Sequence, residues 1–144
     1  MNIFMERALE EAQNSLDAGG IPTGAVLVKD DVILGSAGNT RIQKNNPLGH
    51  AIINAIIDAG RIGSYSSTTL YTTTMPCLMC SGAIIQFGIP KVIVADNQNF
   101  SGPLTFLETH SVEVIVERSD IYVQILSNYI KKNPDIWYED IGQL

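Results

Sequence analysis

Three residues of this chain have the side-chain types and the spacing of a zinc site. Cys77 and Cys80 form a Cys-x-x-Cys pair directly after Pro76, and His50 precedes Cys77 by 27 positions. Both cysteines are predicted to lie at the start of a helix, where unpaired N–H groups and the helix dipole favour the thiolate form that binds zinc. One imidazole and two thiolates supply three protein ligands and leave a fourth position for water, as in catalytic zinc sites.

Each part of this pattern also has a simpler interpretation. The two cysteines alone indicate zinc no more strongly than they indicate a redox pair or two core residues. A histidine at the start of a helix is more often a capping or core residue than a metal ligand. The other histidine, His110, lies in a predicted Thr-His-Ser turn without ligand-type neighbours, so we interpret it as a surface residue. The combination of His50 with the cysteine pair favours zinc over these alternatives.

The elements that carry these residues follow from hydrophobic spacing and from the positions of glycine and proline. The spacing predicts helices over 2–18, 50–59, 77–87, 104–108 and 120–132. A final helical turn or loop is predicted over 136–141. The spacing predicts strands over 25–29, 32–37, 69–73, 91–95 and 112–117. Asp30 and Asp31 indicate a hairpin turn between the first two strands. Helices between the later strands predict an α/β fold, a three-layer α-β-α sandwich with a mixed five-stranded sheet, as a single domain over residues 1–144. Apolar residues on nearly every face of the helix at 50–59 predict that it is buried between layers.

Composition and charge argue against several classes of function. The 144 residues are 45% hydrophobic and 17% charged, which is typical of a folded core and not of a disordered chain. A net charge of −6 without any basic run disfavours a nucleic-acid-binding surface. The longest apolar stretches are shorter than the roughly 18 residues of a membrane span, and the first helix does not have the pattern of a secretory signal. We therefore expect a cytoplasmic protein that binds neither nucleic acid nor membranes.

The zinc-ligand pattern extends into a longer motif with one departure. Zinc-dependent deaminases have a His-x-Glu motif followed by Pro-Cys-x-x-Cys. This chain has His50 and the whole second half, but Ile52 stands in the place of the glutamate. The segment 69–90 resembles the zinc-helix region of fungal-type cytosine deaminases, as do the segments 38–44 and 137–142. The chain is identified as a member of the cytidine-deaminase-like superfamily, and the Trp-Tyr-Glu-Asp sequence at 137–140 makes the cytosine deaminase branch the best match.

The resemblance implies a cofactor, a reaction and a binding pocket. It implies a zinc-dependent homodimer that converts cytosine and water into uracil and ammonia, as in pyrimidine salvage. By this resemblance Asn39 pairs with cytosine, because N1–H and O2 form an adjacent donor and acceptor that one carboxamide matches. Asp140 is expected to accept a hydrogen bond from the 4-amino group. Phe100 and Trp137 are expected to pack on the ring or to close the pocket.

Ile52 puts the activity of this chain in question. In the family the glutamate at this position shuttles protons, whereas isoleucine has no titratable atom. Losing positioned acid/base catalysis costs roughly 10²–10⁴-fold in rate, so we expect the fold and zinc site to persist and deamination to be impaired. Ile52 is consistent with an engineered inactivation, with a natural non-catalytic protein, or with proton transfer by another residue, for which Glu139 and Asp140 are the nearest candidates.

Three hypotheses for the function follow. The first is an impaired cytosine deaminase. The second is an inactive protein that binds a base or nucleoside or acts as a partner subunit. The third is a deaminase of another substrate, such as guanine, a nucleoside or adenosine in tRNA, although the acidic pI of about 4.7 disfavours tRNA.

Overall fold

The computed structural model describes every residue from Met1 to Leu144. Its helices are α1 (Ile3–Asp17), α2 (Ala51–Ala59), α3 (Leu78–Phe87), α4 (Leu104–Thr109), α5 (Asp120–Lys132) and α6 (Pro134–Asp140). Its strands are β1 (Gly24–Lys29), β2 (Val32–Gly38), β3 (Thr68–Thr74), β4 (Lys91–Asp96) and β5 (Glu113–Val116). Each predicted element is present with ends that differ by about two residues or fewer, and the final segment is a helix.

The strands form one mixed sheet in the order β2-β1-β3-β4-β5. β1 pairs antiparallel with β2 and with β3, whereas β3, β4 and β5 are parallel to one another. Asp30 and Asp31 both have positive φ, 51° and 60°, which is the conformation of a type I′ hairpin turn. The predicted hairpin between the first two strands is therefore confirmed.

Helices cover both faces of this sheet. Along β1 the side chains of Ala25 and Leu27 belong to a core cluster shared with α2, α3 and α4, while Val26 and Val28 belong to a second cluster shared with α1, α5 and α6. This separation follows from the alternation of side chains along a strand. The predicted three-layer α-β-α arrangement is confirmed.

The packing of α2 differs from the prediction in one respect. Ile52 and Ala55 are buried, but Ile57 is 70% exposed, so the prediction that α2 is buried between layers was wrong. The reason is that α2 belongs to an outer layer and only one of its faces lies against the sheet. That face lies very close to β2: a Cβ atom at Gly35 would be 2.2 Å from the carbonyl oxygen of Ala55.

Across the chain, the helices fall short of the length and apolar character needed to cross a bilayer.

Candidate metal centre and adjoining pocket

The first turns of α2 and α3 bring His50, Cys77 and Cys80 together. His50 is the N-cap of α2, Cys77 is the N-cap of α3, and Cys80 lies in the first turn of α3. The Nδ1 atom of His50 is 3.5 Å from Sγ of Cys77 and 3.7 Å from Sγ of Cys80. All three ligand atoms lie within 4.8 Å of one another. Ligands bound tetrahedrally to one zinc ion at usual bond lengths are about 3.6–3.8 Å apart, so the spacing fits this metal.

The environment of the cysteines favours a thiolate at Cys77. A hydrogen bond from Cys80 and a second one with His50 lower the pKa of Cys77 to about 4, although burial acts in the opposite direction. The backbone N–H of Cys80 also donates to Sγ of Cys77 at 3.5 Å. The pKa of Cys80 is raised, first by sharing its hydrogen bond with Cys77 and then by burial. The two sulfur atoms share one negative charge. A bound cation would neutralise this charge, so the pair favours metal binding.

A carboxylate orients the imidazole of His50. The Nε2 atom of His50 lies 3.4 Å from the carboxylate oxygen Oδ1 of Asp140. Metal-binding histidines commonly direct their second ring nitrogen at such a group, which fixes the tautomer and raises ligand basicity. Burial lowers the pKa of His50, but the hydrogen bond with Cys77 and the charge of Asp140 raise it above its ordinary value. Burial raises the pKa of Asp140, against the opposing effect of His50.

One pocket includes the predicted metal ligands, the predicted substrate-binding residues and Ile52, but not Glu139. The included site residues are Asn39, His50, Ile52, Cys77, Cys80, Phe100, Trp137 and Asp140. The pocket lies at the carboxyl ends of β3 and β4, next to β1, which runs antiparallel to them. Ligand sites of open α/β sheets are usually found at this position, where the connections diverge.

Asn39 is held in one orientation by two hydrogen bonds. Its side-chain oxygen accepts from the backbone N–H of Arg41 at 2.9 Å, and its Nδ2 atom donates to Asp140 at 3.1 Å. The side chain is buried, with only 1% of the residue exposed. A carboxamide has two donor hydrogens and two acceptor sites, so one donor and one acceptor stay free for a ligand.

Helix α6 supplies the aromatic and acidic wall of the pocket. Trp137 and Asp140 are three positions apart and therefore share a helix face. The ring of Trp137 meets that of Phe100 edge to face, with centroids 6.4 Å apart. Arg41 fastens this helix to the loop before α2 through an ion pair of 2.5 Å with Glu139. Glu139 is exposed and does not line the pocket, which argues against it as a source of protons there.

Ile52 lies both in the core and on the pocket wall. It is 4% exposed, packs in the core cluster that includes residues of α3, and follows the metal ligand His50 by two positions. The sequence analysis overlooked three threonines of the same pocket, Thr23, Thr72 and Thr74. Two of them could have been found from the sequence, because side chains two positions apart on a strand point to the same face. Thr72 and Thr74 therefore share the face of β3 on which Leu70 packs into the core.

Comparison with known proteins places this site in a family. The profile described as "Cytidine and deoxycytidylate deaminase zinc-binding region" matches residues 1–96. The chain belongs to this deaminase family. Its members are zinc hydrolases that act on C–N bonds, and zinc is the cofactor that His50, Cys77 and Cys80 are positioned to bind.

Individual relatives act on different bases. The chain is 37% identical over 142 residues to a cytosine deaminase of Candida albicans, covering 96% of this chain and 95% of that protein. It is 46% identical over 103 residues to a tRNA-specific adenosine deaminase of Streptococcus pyogenes, covering 69% of this chain and 65% of the relative. A solved guanine deaminase from Nitrosomonas europaea shares the fold, with a TM-score of 0.74 and 22% identity over 88% of this chain and 82% of that one.

Proposed function

We propose that this protein binds cytosine beside its zinc site and that Ile52 leaves it with little capacity to deaminate the base. The extent of the similarity to cytosine deaminase carries this proposal. The residues that line the pocket extend from Thr23 to Ile141, a longer stretch than the 103 residues matched by the tRNA-specific enzyme. The cytosine deaminase match covers 96% of the chain and therefore nearly all of the sequence that builds the pocket.

The free groups of Asn39 support cytosine as the ligand. One donor and one acceptor suit the adjacent O2 and N1–H of the base. A nucleoside carries its sugar on N1 and lacks this hydrogen, so Asn39 would select the free base. Phe100 and Trp137 supply flat apolar surface for a ring. Zinc held by three protein ligands supplies Lewis acidity and lowers the pKa of a bound water to about 7.

The side chain at position 52 limits the chemistry. Deamination requires protons to move to the ring and to the leaving amine, and zinc deaminases use the glutamate of His-x-Glu for this purpose. Ile52 presents only carbon and hydrogen to the pocket. Asp140 is the one carboxylate that lines the pocket. We propose that it orients the imidazole of His50 and the carboxamide of Asn39 and does not transfer protons to the base. Loss of positioned acid/base catalysis lowers the rate by roughly 10²–10⁴-fold.

A second candidate is a protein that acts on, or only binds, another amino-base. The identity of 46% to a tRNA-specific adenosine deaminase favours it. The net charge of −6 counts against tRNA, because affinity for nucleic acid comes largely from lysine and arginine at phosphates. A free purine base is consistent with this charge, and binding without turnover is consistent with Ile52.

We also propose that the protein forms a homodimer through the outer faces of α2 and α3. Ile57 of α2 and Leu78 of α3 are 70% and 68% exposed, and exposed apolar surface on a folded protein is typical of interaction sites. Sedimentation analysis of the protein and of an Ile57→Glu/Leu78→Glu variant tests this proposal. We expect a dimer that the double substitution converts to a monomer, and a monomeric starting protein would contradict it.

Calorimetric titration of the zinc-loaded protein tests the proposed ligand. We expect cytosine to bind with one site per chain, cytidine not to bind, and Asn39→Ala to lose cytosine binding while keeping zinc. Asn128→Ala, a change of a residue type matched to Asn39 but outside this pocket, should have no effect. Binding of guanine or adenosine in preference to cytosine would overturn the proposal in favour of the second candidate.

A further inference from the structure

Two buried side-chain polar atoms have no hydrogen-bond partner, the hydroxyl oxygens of Thr74 and Ser81. Thr74 lines the pocket beside the metal ligands, and Ser81 does not. Most buried polar atoms in proteins are hydrogen-bonded, because an unbonded one loses its interaction with water without replacement. A hydroxyl of this kind on the wall of a ligand pocket therefore requires a reason.

The neighbouring threonines of β3 show that the Thr74 hydroxyl is unlike the others. Thr72 points to the same face of the sheet, but its hydroxyl donates to the carbonyl oxygen of Thr74 at 2.8 Å. Thr73 points to the opposite face, where its hydroxyl bonds the phenol of Tyr122 at 3.0 Å and accepts from the backbone N–H of Gly24 at 3.0 Å. Both of these hydroxyls serve the fold. The hydroxyl of Thr74 forms no hydrogen bond within the protein.

Thr74 also stands at the right place to contact a ligand. It is the last residue of β3 and precedes Cys77 by three positions. The lining of the pocket also includes Met75, Phe100 and Ile52, whose side chains offer no hydrogen bond to a base. Thr74 therefore adds to the pocket lining a hydroxyl that is free to form a hydrogen bond with a ligand.

We propose that Thr74 is a specificity-determining residue whose hydroxyl forms a hydrogen bond with the polar edge of the bound base. The inference rests on the proposed function, since it takes a heterocyclic base as the ligand. Cytosine has four polar groups in its plane, N1–H, O2, N3 and the 4-amino group, and the free donor and acceptor of Asn39 match two of them. A hydroxyl both donates and accepts, so Thr74 is able to bond either of the remaining two.

Replacing Thr74 by valine separates a ligand contact from a structural role. Thr74→Val has nearly the same shape but no hydroxyl, and Thr74→Ser keeps the hydroxyl. Thr69→Val, on the same strand but away from the pocket, is the matched control. We expect Thr74→Val to weaken base binding in calorimetry by about 5- to 10-fold, as for one neutral hydrogen bond. Thr74→Ser and Thr69→Val should stay within about 2-fold. Because its hydroxyl is unbonded, Thr74→Val should keep or raise the melting temperature.

The outcomes distinguish this inference from the proposed function. If the unaltered protein binds cytosine and Thr74→Val binds it equally well, the role of Thr74 is overturned and the proposed function stands. If the protein binds guanine instead of cytosine, the proposed substrate fails, and a weaker guanine affinity in Thr74→Val still supports the role of Thr74. A lower melting temperature with unchanged affinity assigns the hydroxyl to the fold and overturns the inference. If neither base binds, both proposals are overturned.

Discussion

Removing the carboxylate of Asp140 should weaken zinc binding although this residue is not a metal ligand. The carboxylate lies 3.4 Å from Nε2 of His50 and accepts a hydrogen bond from Asn39 at 3.1 Å. In Asp140→Ala the imidazole loses the partner that holds its proton on Nε2 and directs Nδ1 at the two sulfurs. Loss of such a supporting group typically lowers metal affinity by about 10- to 100-fold, which is about 1.4–2.7 kcal/mol.

The conservative replacement Asp140→Asn should have a smaller effect. Asparagine keeps an oxygen that accepts from His50 but loses the negative charge, and the carboxylate is only 7% exposed, so solvent screens that charge weakly. We therefore expect a loss of less than about tenfold, between the unaltered protein and Asp140→Ala. Asp135→Ala removes an exposed carboxylate from the same helix and should leave zinc affinity unchanged.

Competition with a chromogenic chelator measures these affinities. Asp140→Ala should release zinc at about 10- to 100-fold lower chelator excess than the unaltered protein, with Asp140→Asn in between. If Asp140→Ala holds zinc as tightly as the unaltered protein, the carboxylate does not orient the imidazole. If Asp135→Ala releases zinc equally, the effect belongs to the stability of α6 and not to the contact with His50.

Two further predictions concern the scaffold of the site. Gly35→Ala should lower the free energy of unfolding by about 1–3 kcal/mol, because the new Cβ would meet the carbonyl oxygen of Ala55; unchanged stability in urea denaturation would contradict this packing. Tyr122→Phe should cost about 1–3 kcal/mol, since the phenol donates to the carbonyl oxygen of Pro22 at 2.6 Å and accepts from Thr73. Burial raises the pKa of Tyr122, so its contribution is present below the ordinary tyrosine pKa of about 10 and is lost as the pH rises above it. In urea titrations, Tyr122→Phe should lower the free energy of unfolding by less above pH 10 than at pH 7. Equal losses at the two pH values would be inconsistent with the raised pKa of Tyr122.

The parts of the fold that depend on local patterns could be predicted from the sequence. Periodicity located the elements, and Asp30-Asp31 located the hairpin. The sequence did not reveal that Ile57 is exposed, because a uniformly apolar helix does not indicate which of its faces meets the sheet. The absence of a side chain at Gly35 indicates which face of α2 lies against the sheet only when α2 is already known to pack against β2.

The metal ligands could be predicted because helix starts and the spacing of Cys77 and Cys80 restrict where sulfur atoms lie. The contact of Asp140 with His50 could not, since it joins residues far apart in the chain and depends on the direction of α6. The hydroxyl of Thr74 was missed for a different reason. Its lack of a partner depends on all its neighbours, and a run of threonines in a strand is ordinary in sequence.

Ammonia release from cytosine, compared between the unaltered protein, Ile52→Glu and Ile52→Gln, shows whether the side chain at position 52 limits deamination. Ile52 is 4% exposed, and glutamine matches glutamate in size and shape, so the two variants differ in whether the side chain can transfer protons. We expect the rate of Ile52→Glu to exceed the rates of the unaltered protein and of Ile52→Gln by at least about 10²-fold. Equal rates for the unaltered protein and Ile52→Glu, or no turnover by a zinc-loaded Ile52→Glu that binds cytosine, would contradict this expectation.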